Sequence, residues 1–184
     1  MKTSLAAVIL LSLLASCAGT SPYTQDYPLT EQSFVSRSGL LHGRVPQGWF
    51  TSSEDTLAPA LELWLLREDL AASVTLREFR LDPFAESTVD RGGLILLAEI
   101  SLALRPSPGT DTIITTPACF TAAGHEWCGY ELVEDGIPRR VVVFTRGGRY
   151  YECVAAPLRT SIGANELRTL FTVQQTVLAT IASR

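Results

Sequence analysis

The residues best suited to chemistry in this 184-residue chain are two histidines, His42 and His125, and four cysteines at positions 17, 119, 128 and 153. Imidazole is the commonest general base, yet neither histidine lies in a nucleophile or metal motif. The chain has no Gly-x-Ser-x-Gly, no His-Glu-x-x-His and no glycine-rich phosphate loop. Cys119, His125 and Cys128 are ligand types that suit zinc, but a fourth ligand is not evident. Strand register offers the cysteines another use. If a strand ending at Ala122 turns through Ala123-Gly124 and returns from His125, then Cys119 falls opposite Cys128. In an oxidising compartment that pair forms a disulfide. Cys153 is then left as a buried thiol, because a strand lying between those of Cys128 and Cys153 separates them by about 9.5 Å, beyond disulfide reach.

Other candidates are dispersed. Glu126, Glu131 and Glu152 alternate with apolar residues, the pattern of a solvated sheet face, so none is singled out as an acid or base. Trp49, Phe50, Trp64 and Trp127 read as core or cleft aromatics near strand ends. Tyr150 and Tyr151 are adjacent on a strand and point to opposite faces, so a sheet covered on one side exposes one of them. With Arg139, Arg140 and Arg149 they form the candidate interaction surface, since arginine and aromatic side chains are enriched at interface hot spots. The only lysine is Lys2, which excludes Schiff-base chemistry downstream, and the net charge of −4 argues against a nucleic-acid partner. No cofactor and no metal are expected.

The elements that must position these residues are mostly strands. Segments 126–133, 139–146 and 149–155 read as an antiparallel meander, with Asp135-Gly136 and Gly147-Gly148 supplying positive φ at two tight turns. Upstream, 39–45 reads as an edge strand ended by Pro46, and 60–67 with 72–80 as a hairpin. The period then changes. Segment 93–104, Leu- and Ala-rich and apolar almost all round, reads as a buried helix closed by Pro106, although Ile100, Leu102 and Leu104 also alternate. Asn165 is placed to cap a final helix over 166–182, whose Leu167, Leu170, Phe171, Gln174, Val177, Leu178 and Ile181 make one stripe.

Ahead of this domain the chain carries an address. Lys2 and the apolar run 5–14 form a short export signal, too short to span a bilayer. Leu14-Ala15-Ser16-Cys17 resembles the lipobox of bacterial lipoproteins, in which the cysteine becomes the acylated N-terminus after cleavage. That resemblance implies lipidation at Cys17, with acyl chains such as palmitate giving stable membrane anchoring. Ala18 in place of the inner-membrane retention Asp implies the outer membrane, facing the periplasm, in a double-membraned bacterium. The organisation expected is a signal peptide over 1–16, a flexible tether over 17–38 and a single α+β domain over 39–184.

The order of elements resembles a known fold family. Pro46-x-Gly48-Trp49 after a first strand, a hairpin, a middle helix, a meander with Arg139-Arg140 and Gly147-Gly148-Arg149-Tyr150-Tyr151, and a closing helix are similar to the PsbP-like α/β/α sandwich over 39–184. The resemblance implies an α+β fold with an antiparallel sheet of five or more strands and helices packed on it. It also implies a non-catalytic binding or assembly module of the cell envelope with a protein partner. The alternative is an envelope enzyme with a dispersed site.

Overall fold

A computed structural model describes residues 19–52, 60–105, 112–160 and 162–182. The meander is present as β7 (Thr112–Ala122), β8 (His125–Glu134), β9 (Ile137–Arg146) and β10 (Arg149–Pro157). Its three turns each place two successive residues at positive φ, among them Asp135 at 53° and Gly136 at 75°, which matches the right-handed twist of the flanking strands. β10 pairs next with β6 (Ala72–Phe79), β6 with β5 (Leu61–Arg67), and β5 with β4 (Trp49–Ser52) at the far edge. At the other edge β1 (Gly19–Thr20) joins β7 as a parallel strand, whereas every other pairing is antiparallel. This is the α+β architecture that the periodicity predicts.

The sheet is buried on both faces by α1 (Pro83–Gly92), α2 (Leu94–Ala103) and α3 (Ala164–Ala182). On one face Trp127, Val142, Phe144, Tyr151 and Cys153 pack beneath Leu170, Phe171, Val177 and Leu178 of α3. On the other, Cys128, Tyr130, Leu132, Val141 and Val154 pack beneath Val89 of α1 and Leu97 and Ala98 of α2. Alternation along each strand sends successive residues into different cores. A separate ribbon of β2 (Leu29–Val35) and β3 (His42–Pro46) extends the α3 side, contributing Phe34, Leu41 and Val45 to that core.

Four local readings change. The stretch 17–38 is not a uniform tether, since β2 lies within it. Only Phe34 of that strand is fully buried, so the sequence carries no alternation to read. The 39–45 strand pairs with β2 instead of joining the main sheet, whose edge is β4. α1 was not anticipated, although Asp82 accepts a hydrogen bond from the Ala85 N–H and Pro83 opens the helix, a recognisable start signal. α3 begins before Asn165: the Leu167 N–H reaches the Gly163 carbonyl, which puts Asn165 in the first turn and not at the cap.

Candidate functional site

The β7–β8 and β9–β10 turns lie at the same end of the sheet, where α1 passes into α2 through Gly93 at φ 75° and the last turn of α3 brings in Ile181. Between them is an open cleft of about 750 Å³. Trp127 and Phe144, with ring centroids 5.1 Å apart, and Val89, Leu94 and Tyr150 supply its apolar lining. Trp127 is fixed by its indole N–H, which donates to the Ala122 carbonyl at 3.0 Å. The rim is polar: Glu86, Asp90, His125 and Glu126 are exposed, and Arg146 is half-buried. The Tyr150 hydroxyl donates to Asp90 Oδ1 at 3.1 Å, and partial burial together with that carboxylate raises its pKa.

The candidate interaction surface divides. Arg149 is exposed and pairs with Glu78 at 3.5 Å, and Tyr150 lines the cleft, so these two remain at one surface. Arg139 is half-buried beside Glu134, its Nε 2.8 Å from Oε2 without the alignment of a hydrogen bond. Tyr151 and Arg140 are corrections. Tyr151 is fully buried and stacks on Phe144 at 5.3 Å, because the sheet is covered on both sides, not one. Arg140 is also buried, donating to Gln174 Oε1 and Gln175 Oε1 at 2.8 Å each, with the rings of Tyr23 and Phe120 over its guanidinium. Burial lowers its pKa to about 10. Cys119 and Cys128 are bonded in the predicted register, and Cys153 is a free buried thiol on the opposite face from Cys128. Cys17 lies outside the described residues.

Glu152 is the polar residue that alternation misled. It is fully buried under α2, not solvated. Arg77 Nε donates to its Oε2 at 2.6 Å, Arg105 lies 3.5 Å from the same oxygen, and Ser101 Oγ donates to Oε1. Ser101 has one proton and spends it there, so the Tyr130 hydroxyl, 2.7 Å away, donates to Ser101 while accepting from Arg105 Nε at 2.9 Å. Burial disfavours the Arg105 cation, but Tyr130 and Glu152 more than offset it and hold its pKa above the ordinary value. Only Ser101 and Glu99 interrupt the apolar sequence of α2, and that Ser101 faces inward was a signal open to a helical-wheel reading. Among the described residues no group of three or more His, Cys, Asp or Glu is placed to hold a metal.

These layers define a class: an antiparallel α/β/α sandwich whose cleft opens at one end of the sheet. The fold is that of the solution structure of cyanobacterial PsbP (CyanoP) from Synechocystis sp. PCC 6803, at TM-score 0.50 and 12% identity over 91% of this chain and 97% of that one. The crystal structure of LpqN, involved in cell envelope biogenesis of Mycobacterium tuberculosis, matches at TM-score 0.42 and 13% identity over 89% of this chain and 87% of that one. No protein-family model and no curated protein sequence matches the chain.

Proposed function

We propose that this protein is a non-catalytic lipoprotein of the cell envelope, anchored by acyl chains on Cys17, whose domain binds a protein partner in the cleft beside Tyr150. The observation that carries the binding reading is the cleft itself, whose volume of about 750 Å³ and mixture of aromatic lining with exposed polar rim suit an inserted side chain. Glu86, Asp90 and Glu126 on that rim favour a partner segment with an apolar anchor flanked by basic residues. The hydroxyl and carboxylate cluster of Ser101, Tyr130 and Glu152 supports a non-catalytic role. It is sealed beneath α2, and its carboxylate is already engaged by two arginines. Lipid anchoring rests on Leu14-Ala15-Ser16-Cys17 behind a short apolar run.

Crosslinking in intact cells followed by mass spectrometry tests the surface, comparing wild type with a Tyr150→Ala, Arg149→Ala double variant. Specific partners are expected to be lost in the variant. An unchanged set of crosslinked partners would show that this end of the sheet is not the interface.

A further inference from the structure

Residues 19–27 are held on the domain at both ends and at Tyr23. β1 pairs Gly19 with Phe120 and Thr20 with Thr121. Ser21 Oγ donates to Gln175 Oε1 at 3.1 Å, and the Tyr27 N–H reaches Thr176 Oγ1 at 3.3 Å. Tyr23 is the centre of the attachment. Its ring meets Phe171 edge-on at 5.3 Å and covers the Arg140 guanidinium at 4.7 Å, while its hydroxyl donates to Glu131 Oε1 at 2.7 Å. Glu131 and Arg140 are direct cross-strand partners, and no carboxylate among the described residues lies within ion-pair distance of Arg140. Tyr23 therefore bridges a buried cation and its nearest counter-charge.

The attachment fixes where the chain leaves the domain. Gly19 is two residues from Cys17, a reach of at most about 7 Å. Were residues 19–28 free, the twelve steps from Cys17 to Leu29 would span about 40 Å. β1 runs parallel to β7, so its N-terminal end is directed toward the Thr112 end of β7, while Gly19 itself lies opposite Phe120. There residues 112–118, Thr-Ile-Ile-Thr-Thr-Pro-Ala, carry no charge, and Ile113 and Ile114 are 53% and 51% exposed. Among the described residues β1 pairs only with Phe120 and Thr121, and no strand borders the earlier part of β7 on that side.

We infer that the segment around Tyr23 is a strap that docks the domain against the membrane carrying its lipid, with the Ile113–Ile114 edge of β7 toward the bilayer. The inference rests on the proposed acylation of Cys17. Uncharged β-branched residues at this edge place no anion against acidic headgroups, and isoleucine side chains suit the headgroup–acyl boundary. Gln175 Nε2 is buried without a hydrogen-bond partner, a cost relieved when the strap lifts and water enters. Docked, the strap holds the cleft, which opens at the Ala122 end of β7, on the side of the domain away from the Ile113–Ile114 contact; released, it lengthens the domain's reach severalfold.

The test uses the full lipidated chain in vesicles of phosphatidylethanolamine and phosphatidylglycerol brominated near the headgroup end of the acyl chains. An Ile113→Trp reporter is compared in otherwise wild-type, Tyr23→Phe and Tyr23→Ala backgrounds, alongside hydrogen exchange of the amides at positions 23 and 27, which donate to Ser21 Oγ and Thr176 Oγ1. With the strap intact, those amides are protected and most of the added indole emission is quenched. Tyr23→Ala is expected to lose both effects, and Tyr23→Phe, which keeps the ring and gives up the Glu131 bond, to retain part of each. Free exchange of the amides at 23 and 27 in wild type, no quenching, or equal quenching in all three backgrounds overturns the proposal. Intact-mass analysis separates the two readings: an unmodified Cys17 with protected strap amides overturns membrane docking by removing the anchor, whereas a lipidated Cys17 with unprotected amides overturns the strap alone.

Discussion

Removing the carboxylate of Glu152 would take the counter-charge from Arg77, leave Glu134 as the remaining carboxylate beside the buried Arg105, and strip Ser101 of its acceptor. Breaking a buried ion pair from one side costs about 3–5 kcal/mol, so Glu152→Ala is expected to shift the urea midpoint strongly downward, far more than Glu126→Ala on the exposed rim. Asp69 gives a weaker and pH-dependent effect. The Arg67 guanidinium, and then the Ala71 N–H, hold its carboxyl at about 2. A folded pKa below the unfolded value means that this stabilisation is present above about pH 4 and is lost as pH falls through about 2. Denaturation of wild type and Asp69→Asn should therefore differ at pH 5, less so in high salt, and converge near pH 2. Cys153 makes a third residue-scale test. Burial pushes its thiol up to about 12, so it should resist iodoacetamide at pH 8 until the chain is unfolded.

At the scale of elements, two attachments carry the architecture. Leu170 and Phe171 of α3 are each 2% exposed against the sheet. Leu170→Asp puts a charge where nothing pairs with it and should abolish the cooperative thermal transition measured by circular dichroism. The Cys119–Cys128 bond joins directly opposed residues of β7 and β8, and among the described residues β7 is bordered on its other side by the two residues of β1. Closing so short a loop contributes about 2–3 kcal/mol in the chain-entropy picture. Cys119→Ala with Cys128→Ala is expected to lower stability by that amount in denaturant titrations and to raise hydrogen exchange along β7 before the rest of the sheet. Peptide mapping without reduction checks the pairing directly.

For the whole molecule, the proposed anchoring has its own measurement. Wild type should fractionate with membranes, and Cys17→Ser should be released or left unprocessed, with intact mass reporting the acyl chains. The cleft, the strap and the Ile113–Ile114 edge of β7 then become parts of one arrangement, in which the distance between binding surface and bilayer is set by whether Tyr23 stays over Arg140.

Local signals were enough for the meander, the β5–β6 hairpin and the amphipathic α3, because each is encoded by turn residues or by a single hydrophobic period, and the Leu- and Ala-rich run was enough for the helical state of α2, although only its Leu97, Ala98 and Ser101 are buried. Counting residues across Ala123-Gly124 was also enough to pair Cys119 with Cys128, since a two-residue turn leaves no freedom of register. What the sequence could not determine was how many faces of the sheet are covered. Alternating polar residues look the same on a wet face as on one buried by a second layer, and only the packing of α1 and α2 turned Glu152 into a buried anion, while α3 and the strap enclosed Arg140. The same holds for the strap. Ser21, Tyr23 and Tyr27 carry no periodicity, and their order comes from contacts with Glu131, Arg140 and α3, more than a hundred residues away in the chain, which only the tertiary fold brings within reach.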